Sequence, residues 1–289
     1  MNRSLAAVAT LLVLSFALLG ETDADVDPLS SDACGPQPLK SDGSAWVCAF
    51  DDEFDGTELD RTRWVPQTTH FSTGTPEAHA CYVDDPQNVS VSGGTLNLTV
   101  RTLGAPVPCL SDPALAPSPY TSGSVSTYHL FSQQYGRFEA RVKVEATSDP
   151  GLQETFWLWP DDRVATGEVW PLAGEIDVLE SYSVNPDLGI PFLHYSGNDN
   201  GGPIPGTNTA WDCIAPRGAY NTWTLEWSPT ELKVEVNART CLVNTSGDPA
   251  FQKPYIVAFT QALGTTGNVY DGRAPLPATL SVDYVHVWK

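Results

Sequence analysis

The sequence predicts an all-β fold, an antiparallel β-sandwich of two sheets packed face to face. Three features point there. Apolar residues recur at alternate positions, the alternating runs are short and parted by Gly, Pro and Asn, and no stretch carries the period of a long amphipathic helix. With 23 Gly and 24 Pro, the chain has turn formers enough to separate many short strands.

The first residues read as an export signal. Arg3 supplies positive charge, Leu5 to Leu19 is an apolar run, and Thr22-Asp23-Ala24 offers small residues for cleavage. Residues 1–24 are therefore expected to be removed and the mature protein to be secreted and extracellular, because the apolar run is too short to span a membrane comfortably and no later stretch approaches it. Residues 25–45, rich in Asp, Ser, Pro and Gly, read as an N-terminal extension pinned by Cys34. Residues 46–289 read as one domain, with order beginning near Trp46.

Within that domain Leu96, Leu98 and Val100 alternate, as do Phe138, Ala140, Val142 and Val144 around Glu139, Arg141 and Lys143. Further strands are expected over 155–159, 175–180, 192–195, 223–227, 232–236, 255–262 and 279–288. The Pro- and Gly-rich stretches 102–122 and 196–220 are longer than ordinary hairpin connections and are expected as loops that wall a cleft.

Six cysteines in an exported chain point to disulfides, and their spacings match no zinc motif. Of the pairings open to them, the sequential one (Cys34–Cys48, Cys81–Cys109, Cys213–Cys241) is expected, because each loop then ties down a Pro- and Gly-rich stretch. The formal charge is −20, from 35 acidic against 15 basic residues. Nucleic acid and acidic membranes are repelled at long range, and the same argument weighs against sulfated polysaccharides. A neutral polysaccharide meets no such penalty. A monomer is expected.

The stretch richest in chemistry is Gly174-Glu175-Ile176-Asp177-Val178-Leu179-Glu180, three carboxylates within six residues spaced by Ile, Val and Leu. The apolar residues belong in a strand, where Glu175 and Asp177 share a face and Glu180 takes the other. A β-bulge near Val178-Leu179 brings Glu180 back to join them. Glu175 and Glu180 are then about 13 Å apart along the backbone, at about 3.3 Å per residue. Their side chains lean inward towards the ~5 to 5.5 Å separation of a double-displacement glycosidase. The plain alternative is three solvated acids on an acidic protein. Like charges crowded on one face repel, which argues instead for a use of perturbed acidity.

This stretch, preceded by Trp170-Pro171-Leu172-Ala173, resembles the signature of glycoside hydrolase family 16, and its bulged form resembles the laminarinase-like branch. Phe50-Asp51-Asp52-Glu53-Phe54-Asp55-Gly56, Tyr135-Gly136-Arg137-Phe138-Glu139-Ala140-Arg141, Phe156-Trp157-Leu158-Trp159-Pro160, Trp223-Thr224-Leu225-Glu226-Trp227 and Val282-Asp283-Tyr284-Val285-His286-Val287 follow in that family's order, covering residues from about 48 to the end. The resemblance implies a jelly roll with a concave substrate cleft. It makes Glu175 the nucleophile, Glu180 the general acid and Asp177 the residue that orients Glu175.

Sugar rings present apolar C–H faces, so aromatic platforms are expected. The resemblance puts Trp157 and Trp170 first. Trp159 and Trp227 read as easily as core. His194 resembles a family histidine near the acids, although a lone His is more often structural, and Gln261 reads equally as a sugar contact or a core hydrogen bond. Glu53, a carbonyl near Gly93 and Asp283 match positions that hold a structural calcium in relatives, a set of hard oxygen donors. No cofactor for catalysis is implied. The chain departs from the family pattern at Gln153-Glu154, where relatives often carry a Trp, and at Ser124, where an Arg is common; both leave subsite preference open. No Gly-x-Ser-x-Gly elbow supports a serine nucleophile.

The function expected is a secreted retaining endo-glycosidase acting on β-1,3-glucan, with mixed-linkage β-1,3-1,4 chains alongside. The alternatives are an agarase-like enzyme for neutral galactan, a transglycosylase, and a β-glucan-binding protein without activity. Retention of all three acids favours an enzyme.

Overall fold

The computed structural model describes residues 31–68, 73–110, 112–164, 167–198 and 202–289. The expected export signal over residues 1–24 lies outside the described residues. Two large sheets make up the fold. One has six strands in the order Ile190–His194, Glu175–Tyr182, Leu152–Pro160, Tyr255–Leu263, Ser124–Ser126 and Val65–Pro66. The other runs from Arg239–Asn244 through Leu232–Val236, Asn221–Trp227, Gly136–Lys143, Ala278–Trp288 and Leu96–Val107 to the strands at Ser118–Ser122, Ala78–Tyr82 and Thr73–Thr75. Among the described strands every pairing is antiparallel except that of Ala78–Tyr82 with Ser118–Ser122. Helix is confined there to three short 3-10 segments, Asp162–Val164, Ser196–Asn198 and Pro249–Phe251.

The core lies between the sheets. In Gly136–Lys143 the buried Phe138, Ala140 and Val142 alternate with half-buried Arg137, Glu139 and Arg141. Opposite them, Leu152–Pro160 buries Leu152, Glu154, Phe156 and Leu158 and leaves Gln153, Thr155, Trp157 and Trp159 on its other face. Phe156 stacks on Phe259 at 5.0 Å, and residues from Phe50 to Val287 join one apolar cluster. Rings this large are the heaviest apolar contributors to such a core.

Two expectations are corrected. Structure begins before Trp46: Ser31–Asp32 pairs with Gly35–Pro36, and Cys34 is buried and bonded to Cys48. The 102–122 stretch is only partly loop, since the Leu96–Val107 strand runs into it and Ser118–Ser122 returns beside that strand. The disulfides follow the sequential pairing expected, Cys34–Cys48, Cys81–Cys109 and Cys213–Cys241.

Candidate active site

Gly174 opens the strand that carries the acids. Its φ of +90° lies in the region that favours glycine, and a Cβ there would fall 2.0 Å from the Tyr255 hydroxyl. The chain then enters Glu175–Tyr182 in β conformation. Against Leu152–Pro160, Phe156 faces Leu179 and Trp157 faces Asp177, so Val178 is the extra residue between them. Against Ile190–His194 the register also shifts between Asp177 and Glu180. This is the expected bulge, and Val178 is fully buried. Its consequence is that Glu175, Asp177 and Glu180 all line one cavity of about 410 Å³ on the open face of the six-stranded sheet. Gln153, Thr155, Trp157, Trp159, His194, Thr260 and Ala262 complete its wall.

Each acid is met by specific neighbours. Trp170 Nε1 donates to Glu175 Oε2 at 2.6 Å. His194 Nε2 lies 3.4 Å from Asp177 Oδ2 and 4.0 Å from Glu175 Oε2. Gln153 Nε2 donates to Glu180 Oε1 at 3.0 Å, and the Tyr182 hydroxyl also bonds Glu180. Trp157 Nε1 donates to Thr260 Oγ1 at 3.0 Å, which fixes its ring, and Trp159 packs edge-on against it.

Burial raises the pKa of all three acids above the ordinary carboxylate range. For Glu175 the charge of Asp177 adds to burial, while His194 and the Trp170 N–H work against it. For Asp177 the charge of Glu180 adds to burial. Glu180 is raised by burial and pulled back by Tyr182, His194 and Gln153. Charge on one of these acids disfavours charge on its neighbours, so the three titrate as a group. Burial pushes the His194 imidazole down.

Not every predicted site residue reaches this cavity. Trp227 is 2 % exposed, belongs to the other sheet and packs against Phe138, Tyr135 and Tyr255, so it is core. Gln261 points inward as well; it is fully buried and its amide donates to Glu154 Oε1 at 3.2 Å. Its register partner is Glu154, on the core face, whereas Thr260 beside it faces the cavity. Trp170 is 46 % exposed and caps Glu175, with its ring 5.0 Å from that of His194.

Both acidic calcium candidates already have side-chain partners. Glu53 is paired with His286 and Asp283 with Arg141, so a cation held by both acids must displace both partners. Gly93 sits in a turn at φ +64°.

Two functional neighbours escaped sequence reasoning. Gln153 registers there only as a departure, and Tyr182 not at all. Strand period carried the signal for both: Gln153 is two residues from Thr155, and Tyr182 two from Glu180. Ser124, the other departure, is buried, with Oγ 3.0 Å from Thr260 Oγ1.

A β-sandwich with paired carboxylates and tryptophans around one open cavity defines the class of carbohydrate-cleaving hydrolases. The chain belongs to glycosyl hydrolases family 16, whose profile matches residues 75–284. It is 29% identical over 268 residues to a glucan endo-1,3-beta-glucosidase A1 of Niallia circulans, covering 83% of this chain and 37% of that one. A keratan-sulfate endo-1,4-beta-galactosidase of Sphingobacterium multivorum is also 29% identical, over 249 residues, 83% of this chain and 54% of that one. The chain thus spans about a third to a half of the length of these two relatives. Among solved structures, the laminarinase of Rhodothermus marinus superposes with a TM-score of 0.69 at 23% identity, covering 84% of this chain and 97% of that chain. This likeness is one of fold.

Proposed function

We propose that this protein is a secreted, retaining endo-glycosidase that hydrolyses β-1,3-linked glucan. One observation carries the reading: the bulge at Val178 turns Glu175, Asp177 and Glu180 to one cavity face, with a donor fixed on each of the two glutamates. In the first step Glu175 attacks the anomeric carbon as Glu180 gives its proton to the leaving oxygen, and the bond between sugar and leaving group breaks. In the second, Glu180 takes a proton from water, which attacks the same carbon and frees Glu175. Two inversions leave the β configuration intact.

Asp177 lies between the two and keeps negative charge from accumulating on both glutamates at once, with His194 beside it. Trp170 N–H holds one oxygen of Glu175 so that the other faces the sugar. Trp157 and Trp159 offer ring surface for sugar C–H faces. Similarity to the Niallia circulans glucosidase supports β-1,3-glucan as substrate, and the −20 charge supports a neutral polymer. A galactan is the second reading, since one relative is a keratan-sulfate endo-1,4-beta-galactosidase; that polymer is sulfated, and the −20 charge restricts the reading here to a neutral galactan.

Purified protein incubated with soluble laminarin should release reducing ends from within the chain, and the first product seen by NMR should be the β anomer. An α anomer first would overturn the double displacement. No cleavage of laminarin, with cleavage of agarose, would move the substrate to galactan. Glu175→Ala and Glu180→Ala should each lose more than about a thousandfold in kcat.

A further inference from the structure

Glu175 and Glu180 lie at opposite ends of the acidic trio, and aromatic rings flank both. Trp170 covers Glu175. Beyond Glu180, on the same strand face, Tyr182 bonds the acid through its hydroxyl. The ring of Trp211 lies parallel to that of Tyr182, 7° between planes and 6.2 Å between centroids.

Trp211 is held from both sides yet left open. Leu193 N donates to Asn208 O at 2.7 Å, Phe192 bridges Thr209, Gly189 N donates to Cys213 O at 3.1 Å, and Leu188 bridges Ile214. The segment therefore runs as an edge ladder along Ile190–His194. Cys213 is tied to Cys241, and Arg217 makes a buried ion pair with Glu154 at 2.8 Å. Despite this anchoring the Trp211 ring is 44 % exposed. A fixed indole with an open face, one ring removed from the acid through Tyr182, is preorganised to stack on a sugar, since no loop ordering has to be repaid on binding.

We propose that Trp211, backed by Tyr182, is the platform for the sugar on the leaving-group side of the scissile bond. The proposal rests on Glu180 as the acid: the group that gives its proton to the leaving oxygen has the leaving sugar beside it. The same platform receives an acceptor sugar in the second half-reaction. There the acceptor hydroxyl gives its proton to Glu180, its oxygen bonds the anomeric carbon, and the ester bond to Glu175 breaks. Trp211 thereby sets how much of the intermediate goes to transfer and how much to water.

The test compares Trp211→Ala and Trp211→Phe with wild type on a β-1,3-gluco-oligosaccharide and on the corresponding β-glycosyl fluoride, which carries no sugar on the leaving side. Trp211→Ala should lose about tenfold in kcat/KM on the oligosaccharide, roughly the worth of one stacking contact. It should stay within about twofold on the fluoride, and its transfer-to-hydrolysis ratio with added glucoside acceptor should fall. Trp211→Phe should recover most of both. An equal loss on the two substrates would make Trp211 a fold residue, and no loss on either would remove the platform; both overturn the proposal. A wild-type protein inert on both substrates would instead sink the glucanase reading, and this proposal with it.

Discussion

Glu180, the proposed acid, is gripped by Gln153 and Tyr182, and that grip shifts the pH at which it gives up its proton. A donor to a carboxylate favours its charged form, so losing one raises its pKa. Gln153→Leu should therefore move the alkaline limb of the kcat/KM profile to higher pH, because Glu180 keeps its proton longer. A limb that stays put or moves down would show that Gln153 does not act on the acid. Glu175 permits a different test. Burial raises its pKa, so between the unfolded pKa, about 4, and the folded pKa the folded chain holds more proton than the unfolded chain, and above the folded pKa Glu175 is ionised in both. Stability contributed by this site is therefore lost as pH rises through the folded pKa. Glu175→Gln, uncharged at every pH, should raise the urea midpoint at pH 8 relative to wild type and change it little at pH 4. A lower midpoint at pH 8 would mean that the Trp170 bond outweighs the cost of burial. Both tests concern groups whose type was legible in the sequence. Their partners were not, because a hydrogen bond across strands depends on register.

At the scale of elements, the bulge and the loop behind it decide where the acids point. The bulge was legible, since three acids at this spacing share a face only with one residue extra. Trp227 and Gln261 stayed open between cavity and core for the complementary reason. A residue's type does not say which side of a sheet it faces until its neighbours are known, and the partner of Gln261 turned out to be inward-facing Glu154. Glu154 meets Arg217 bidentately at 2.8 Å, and Arg217 also donates to Ser181 Oγ at 2.7 Å, directly after Glu180. This buried pair pins the 208–217 segment beneath the catalytic strand. Arg217→Met strands the Glu154 charge in the core and should cost about 3–5 kcal/mol in urea unfolding. Glu154→Leu combined with Arg217→Met should regain most of that loss. If the double variant is no more stable than the single one, the stranded charge is not the cause.

For the whole molecule, charge and cross-links set the limits. The net charge of −20 favours binding a neutral polymer over a polyanion. Calcium enters at this scale too. Because His286 and Arg141 already meet Glu53 and Asp283, an excess of chelator should shift the thermal midpoint by less than about 1 °C, where a bound stabilising ion would shift it by several. A larger drop, reversed by calcium, would restore the ion to that face.

The sequence by itself determined the sandwich and the strand that carries the acids with its bulge, because alternation and residue spacing are local properties that read directly along the chain; the disulfide pairing was one choice among fifteen until the structure closed it. The tertiary structure alone decided which tryptophans face the cavity, that Gln153 and Tyr182 bond Glu180, and that Trp211 stacks on Tyr182. Those contacts join residues far apart in the chain, and sheet register and a stapled loop, which no local pattern encodes, bring them together.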